Sequence, residues 1–240
     1  MNTNDEQTAM SAGIWNTFTT DPTTGITILT ADGEILFINE QSTRIFFNES
    51  REPGSLVGVS IYDIGFPKEW ADERVELMKE IIRSGERRLL RTIWNGKQQF
   101  SWMSPVPGDD EQDQDRVIVV TRRVPTTYEN EYLMDDEIEV VRSGVICLGG
   151  LSVLTARELE ILSLLGQGMS IKEIAATLYR SVKTIENHRE AIGRKLKRTR
   201  GVELTVIAQS AGLSIEGSKR IRMDKVARPE SGGYDSSKDK

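Results

Sequence analysis

The hydrophobic period of this chain changes once, and that change dictates two folding units. From Gly25 to Val124 the apolar residues cluster in short, β-branched runs: GITILT, EILFIN, RRLLRTIW, QQFSWMSPV and DRVIVVTRRV. From Leu154 onward they recur at helical spacing, in LTARELEILSLLGQG, SIKEIAATL, SVKTIENHREAIGRKLK and GVELTVIAQSAGL. A period of two and a period of 3.6 cannot share one element. With 240 residues the chain can bury a core in each unit.

In the first unit Asp32-Gly33 marks a tight turn between the first two strands, and Asn95-Gly96 marks a second between the third and fourth. EQSTRIFFN fits one or two helical turns. ADERVELMKEIIRSG places Val75, Met78, Ile81 and Ile82 at helical spacing, with Gly85 positioned to end the helix. The acidic stretch PGDDEQDQD separates the last two strands. The order β-β, helices, β-β-β predicts an α+β unit over residues 25–124, one antiparallel five-stranded sheet with helices on one face. Residues 1–24 read as a flexible, polar lead-in. Residues 125–151 fit a linker helix, an extra strand, or both. Residues 214–240 lack an apolar period and read as a disordered tail.

Charge separates the same two units. Residues 1–151 hold 14 Lys and Arg against 26 Asp and Glu, whereas residues 152–213 hold 10 against 6. The net charge of −6 therefore hides a basic part suited to a polyanion. No apolar run approaches the ~20 residues that span a bilayer, and the polar N-terminus lacks a signal-peptide pattern, so no membrane partner and a cytoplasmic location are expected. The single cysteine, Cys147, excludes an internal disulfide framework and a multi-cysteine metal site. Neither a GxSxG elbow, a P-loop, an HExxH motif nor a Cys/His pair is present, which argues against an enzyme.

The second unit, residues 152–213, carries its own punctuation. Thr155 and Glu158 form a capping-box pair ahead of an amphipathic run, Ser170 caps a short helix, and Ser181 caps a longer one. On that longer helix Ile185, Ile192 and Leu196 share one stripe, while Lys183, Asn187, Glu190 and Arg194 lie opposite. Asn can pair bidentately with adenine and Arg with guanine, and small side chains such as Thr184 let the backbone approach. Lys183 at one end and Arg194, Lys195, Lys197 and Arg198 at the other are placed to meet phosphates. Lys172, Ser181 and His188 are further candidate phosphate contacts. His188 lies at the edge of the apolar stripe, where a packing role comes first, and no second ligand supports a metal. The plainer reading is a solvated face, in which Glu190 pairs with Arg194 and Glu186 with Lys183 or Arg189. A short helix, a brief turn and a longer basic helix favour the helix-turn-helix layout.

The pieces Leu154-Thr155-x-Arg157-Glu158, Gly168, Lys172-Glu173-Ile174-Ala175, Leu178, Ser181, Thr184-Ile185, His188, Ile192 and Lys195-Leu196 resemble the LuxR-type helix-turn-helix of bacterial transcription regulators. The resemblance implies an all-α four-helix fold that binds double-stranded DNA, with Lys183, Thr184, Asn187 and Arg189 in or beside the groove and Lys195 near the backbone. This chain departs from the pattern at Ile171, Arg180, Glu186 and Glu190. A protein-interaction adaptor that no longer binds DNA specifically is the alternative, kept open by those glutamates. GITILTADGEILFINEQSTRIF, LVGVSIYDI and the NGK hairpin resemble a PAS-type sensory domain, which implies ligand sensing, dimerisation, or both. A homodimer is expected, and RNA polymerase stands as a further candidate partner. Residues 25–124 contain no His and no Cys, which argues against haem and cysteinyl-flavin cofactors and leaves an unidentified small ligand open. Phe37, Trp94, Phe100 and Trp102 are the candidate pocket residues.

Overall fold

A computed structural model of the 240-residue chain describes residues 13–47, 51–108, 115–125, 138–198, 200–213 and 221–223. Strand β1 (Gly25–Thr30) pairs antiparallel with β2 (Ile35–Ile38) across the Asp32-Gly33 turn, where Gly33 takes a φ of 90°. A Cβ at Gly33 would stand 2.9 Å from the Ile61 side chain, so close approach as well as φ requires glycine. Helix α1 occupies residues 13–20, α2 spans Glu40–Phe47 and α3 spans Lys68–Ser84. Gly85 ends α3 in the left-handed region, its N–H bonded to the Ile81 carbonyl at 2.9 Å.

β3 (Arg88–Trp94) and β4 (Lys97–Val106) form the second hairpin, with Asn95 and Gly96 both at positive φ, as a two-residue primed turn demands. β5 (Arg116–Arg123) runs antiparallel between β1 and β4. The order β2-β1-β5-β4-β3 with helices inserted after β2 is the PAS-like arrangement. A sixth strand, β6 (Glu139–Arg142), extends the expected five by pairing parallel to β3.

Two expectations, the flexible lead-in and the disordered tail, are corrected, and the stretch left open between the units is filled in. The lead-in contains α1, whose Trp15 ring centroid lies 5.2 Å from that of Phe37. Asp21 then closes the turn after α1: its carboxylate accepts from the Thr23 N–H and from both the Thr23 and Thr24 hydroxyls. These bonds pull its pKa down to about 2. In the 125–151 stretch, the described residues realise the strand option: β6, then β7 (Val145–Cys147), then a 3-10 turn (Gly149–Val153). The tail contributes β8 (Ile221–Met223), parallel to β7. The rest of 1–24 before residue 13 and the remainder of the tail after Leu213 lie outside the described residues.

The first core fills the space between the inner sheet face and α2 and α3, with Leu29, Ile35, Met78, Ile81 and Leu90 at its centre. The second joins Ile93, Ile146, Leu148 and Leu151 to the C-terminal helices. Those helices are α4 (Ala156–Gly166), α5 (Ile171–Thr177), α6 (Val182–Leu196) and α7 (Gly201–Ala211). The helical unit is thereby seated on the outer sheet face. There, Arg91 Nη2 donates to Gln98 Oε1 at 2.7 Å and to the Gly212 carbonyl at 3.2 Å. Gln98 Nε2 donates to the Val124 carbonyl at 3.0 Å. Among the described residues no helix is long and apolar enough to cross a membrane.

Candidate nucleic-acid interface

Capping explains where each helix of the second unit begins. Thr155 and Glu158 form a reciprocal capping box on α4, and Ser170 and Glu173 form another on α5. Ser181 Oγ accepts from the Thr184 N–H at 3.1 Å and shares a hydrogen bond with the Thr184 hydroxyl at 2.8 Å. Ser181 and Thr184 are therefore engaged in starting α6, which lowers their availability to a ligand.

Ile185 and Ile192 are fully buried, and they orient α6 so that Lys183, Asn187, Glu190 and Arg194 face solvent. Lys172 and Lys197 are exposed, Thr184 is half-buried, and His188 is half-buried at the edge of the stripe. Lys183 and Glu186 form the loose surface pair foreseen at i,i+3, at 3.6 Å. Exposed pairs of this kind contribute about 0–1 kcal/mol and exchange readily for a phosphate. Glu190 and Arg194, by contrast, do not pair with each other. Beside them Arg189, Arg194, Lys197 and Arg198 rim an open groove between the end of α6 and the start of α7. Arg189 turns toward α7: a Cβ on Gly201 would stand 3.4 Å from its Nη1.

Lys195 has a partner within the domain. Its Nζ bonds Glu158 Oε2 at 2.6 Å, and the Glu158 side chain is 6% exposed against 37% for Lys195. The ion pair ties the last turn of α6 to the first turn of α4. Burial pushes the Glu158 carboxyl up, but the bonds from Lys195 and from the Thr155 N–H and hydroxyl outweigh it and hold the carboxyl below its ordinary value.

Tyr179 is a residue that periodicity passed over. It lies 91% exposed in the turn before α6, at a φ of 52° that non-glycine residues rarely take. Its position between Leu178 and Arg180, outside the apolar stripe of either helix, was the available signal.

The four candidate pocket residues lie elsewhere than in the cavity of the first unit. Strand alternation sends Phe100 and Trp102 to the outer face with Leu89 and Val124. Phe37 packs on Trp15. Trp94 is inside, but it is fully buried against Phe46, Phe66 and Trp70, and its Nε1 donates to the Phe46 carbonyl at 2.8 Å. The cavity wall instead includes Phe66, Trp70, Arg74 and Gln99. Two signals for them were legible: Arg74 shares the helical stripe of Met78 and Ile81, and Gln99 and Ser101 take core-facing positions in a strand.

Residues 152–208 match the family described as "Bacterial regulatory proteins, luxR family". This part of the chain is similar to LuxR-type DNA-binding domains. Among curated relatives, the chain is 42% identical over 64 residues to the positive transcription regulator of virulence factors BvgA of Bordetella pertussis, covering 27% of this chain and 31% of BvgA. It is 36% identical over 77 residues to the oxygen regulatory protein NreC of Staphylococcus epidermidis, covering 32% of this chain and 34% of NreC. The chain thus spans about a third of the length of these relatives. Among solved structures, the VqmA–ligand–DNA complex of Vibrio cholerae aligns over 90% of this chain and 96% of its own, at 16% identity and a TM-score of 0.46.

Proposed function

We propose that the chain is a transcription regulator in which α6 enters the major groove of promoter DNA and the PAS-like unit senses a signal or mediates dimerisation. One observation carries this reading. The LuxR-type domain is docked on the sheet through α7 and the segment before α4, yet the face of α6 bearing Lys183, Asn187, Glu190 and Arg194 is left to solvent. In this reading Asn187 and Arg194 contact base edges, while Lys183, Lys197, Lys172 and the hydroxyl of Tyr179 meet phosphates. Arg189 and Arg198 line the flank. Ser181, Thr184 and Lys195 position the helix.

A homodimer would present two such helices to half-sites about one helical turn apart. Val202 and Val206, exposed apolar residues on α7, are the surface proposed for the second copy. The acidic first unit would repel the duplex and favour one docking orientation.

Selection of bound sequences from a random DNA pool, using the full chain, tests the proposal. Recovery of a two-part motif supports it, and an unenriched pool together with salt-insensitive gel shifts would refute it. Sedimentation of the wild type and of Val206→Glu tests the dimer: the substitution should return a dimer to monomers.

A further inference from the structure

Arg74 is a buried charge that the proposed DNA interface does not use. It sits on α3 in the wall of the cavity, 6% exposed, with its guanidinium carbon 4.8 Å from the Trp70 ring centroid. Its Nη1 donates to Glu73. Its Nη2, like Nε2 and Oε1 of Gln99 in the same wall, lacks a partner among the described residues. Burial pulls the guanidinium below its ordinary value, and the charge and hydrogen bond of Glu73 oppose that pull. A methionine at position 74 would fill similar space without a desolvated charge, and such replacements are often neutral or stabilising. Stability alone does not account for this ion pair.

Glu73 supplies a reason for it. Its Oε2 also accepts from the Ser143 hydroxyl at 2.6 Å, and its Oε1 accepts from the Gly144 N–H at 2.7 Å. Ser143 and Gly144 are the residues that join β6 to β7, and Ser143 is fully buried. The far end of β7 is fixed by the β3–β4 hairpin, where the Gly96 N–H donates to the Cys147 carbonyl at 3.0 Å. The chain then continues through Leu148 and Leu151, which pack against the C-terminal helices. α3 therefore grips the start of the connector that leads into the LuxR-type domain.

The chemistry of the grip is specific. An ionised carboxylate is acceptor-only, so it takes Arg74, Ser143 and Gly144 together. The isosteric amide would turn its own N–H toward one of these donors. Val75, Met78 and Ile81 also hold α3 in the core, but apolar contacts are non-directional. The hydrogen bonds to Glu73 set a distance and an angle.

We propose that Glu73 is a positioning residue: charged and aimed by Arg74, it fixes the β6–β7 turn to α3 and so passes the position of α3 to the connector of the LuxR-type domain. The assignment goes beyond the reading of α6 and does not depend on DNA binding.

The test uses the full chain and separates coupling from stability. Glu73→Gln alone leaves Arg74 buried without its countercharge and should lower the Tm. Adding Arg74→Met removes both charges and should return the Tm to within about 3 °C of the wild type. Amide hydrogen exchange of this double variant then reads the connector. The Gly144 N–H loses its acceptor. The Leu151 N–H, bonded to the Leu148 carbonyl at 2.9 Å, lies beyond β7. Both should exchange about tenfold faster than in the wild type. Gly85, which closes α3, and Ile26 in β1 should keep their rates. Ser143→Ala approaches from the other side: it leaves the ion pair in place and should also speed exchange at Leu151. Wild-type exchange at Leu151 in the double variant would reduce Glu73 to a local anchor and overturn the assignment. So would a Leu151 rate that Ser143→Ala leaves unmoved, or a Tm that stays low with exchange faster at Gly85 and Ile26 alike.

Discussion

Lys183, Asn187, Arg194 and Lys195 lie on one helix, but their surroundings give them different work. Asn187 is exposed on the outward face, so Asn187→Ala should alter base preference at one position, by about 1–3 kcal/mol. Lys183→Ala should weaken all sequences alike and reduce the salt slope by about one. Both are read by anisotropy titrations at several salt concentrations. Lys195→Met should instead leave the salt slope unchanged and lower stability by about 1–2 kcal/mol, a loss moderated by the exposure of Lys195. The lowered carboxyl of Glu158 gives a pH signature. Its contribution is complete above the ordinary value of 4.5 and drains away as pH falls through the lowered folded value. A Tm-against-pH series should show the acid limb shallower in Lys195→Met than in the wild type.

Helix boundaries and helix contacts are set by different residues. Ser170 both caps α5 and completes its reciprocal box, so Ser170→Ala should cost about 1 kcal/mol in denaturant melts. Gly193 serves a contact. It is buried near the end of α6, and its carbonyl accepts from the Arg198 N–H at 2.8 Å as the chain turns toward α7. A Cβ there would stand 2.6 Å from the Arg198 carbonyl oxygen, a backbone atom that cannot swing aside. Gly193→Ala should therefore destabilise the domain by about 1–3 kcal/mol although alanine is the better helix former, which the same melts would register.

At the scale of the molecule, the β3–β4 hairpin faces two ways. Thr92 and Gln99 look into the cavity, while their neighbours Arg91 and Gln98 hold the end of α7 on the outer face. Gly212 takes a φ of 59°, and a Cβ there would lie 1.8 Å from Gln98 Oε1. Gly212→Ala should loosen the seat of the LuxR-type domain. Scanning calorimetry should then resolve two transitions where the wild type shows one, an outcome that Ser170→Ala, remote from the seat, should not produce.

Local chemistry was enough to locate the first five strands, the primed turn at Asn95-Gly96 and the caps at Thr155, Ser170 and Ser181. Each of these depends on neighbours within about four residues. The buried stripe of α6, and with it the outward face of Asn187, followed from a helical period that needs no partner to be read. Long-range partners were beyond the reach of such reasoning. Lys195 looked like its free cationic neighbours until Glu158, 37 residues earlier, was found beside it. Phe100 and Trp102 looked like pocket residues because aromatic character is visible in a sequence, whereas the face on which a strand residue lands depends on pairing register. The short strands β6 and β8 pair with β3 and β7. Their few residues carry no period long enough to read. Sequence alone thus determined the five strands of the first unit, the helices of the second and which face of α6 turns outward. The tertiary structure decided which charges are paired, which polar groups stay unpaired in the cavity, and how the two units are joined, because those depend on contacts between residues far apart in the chain.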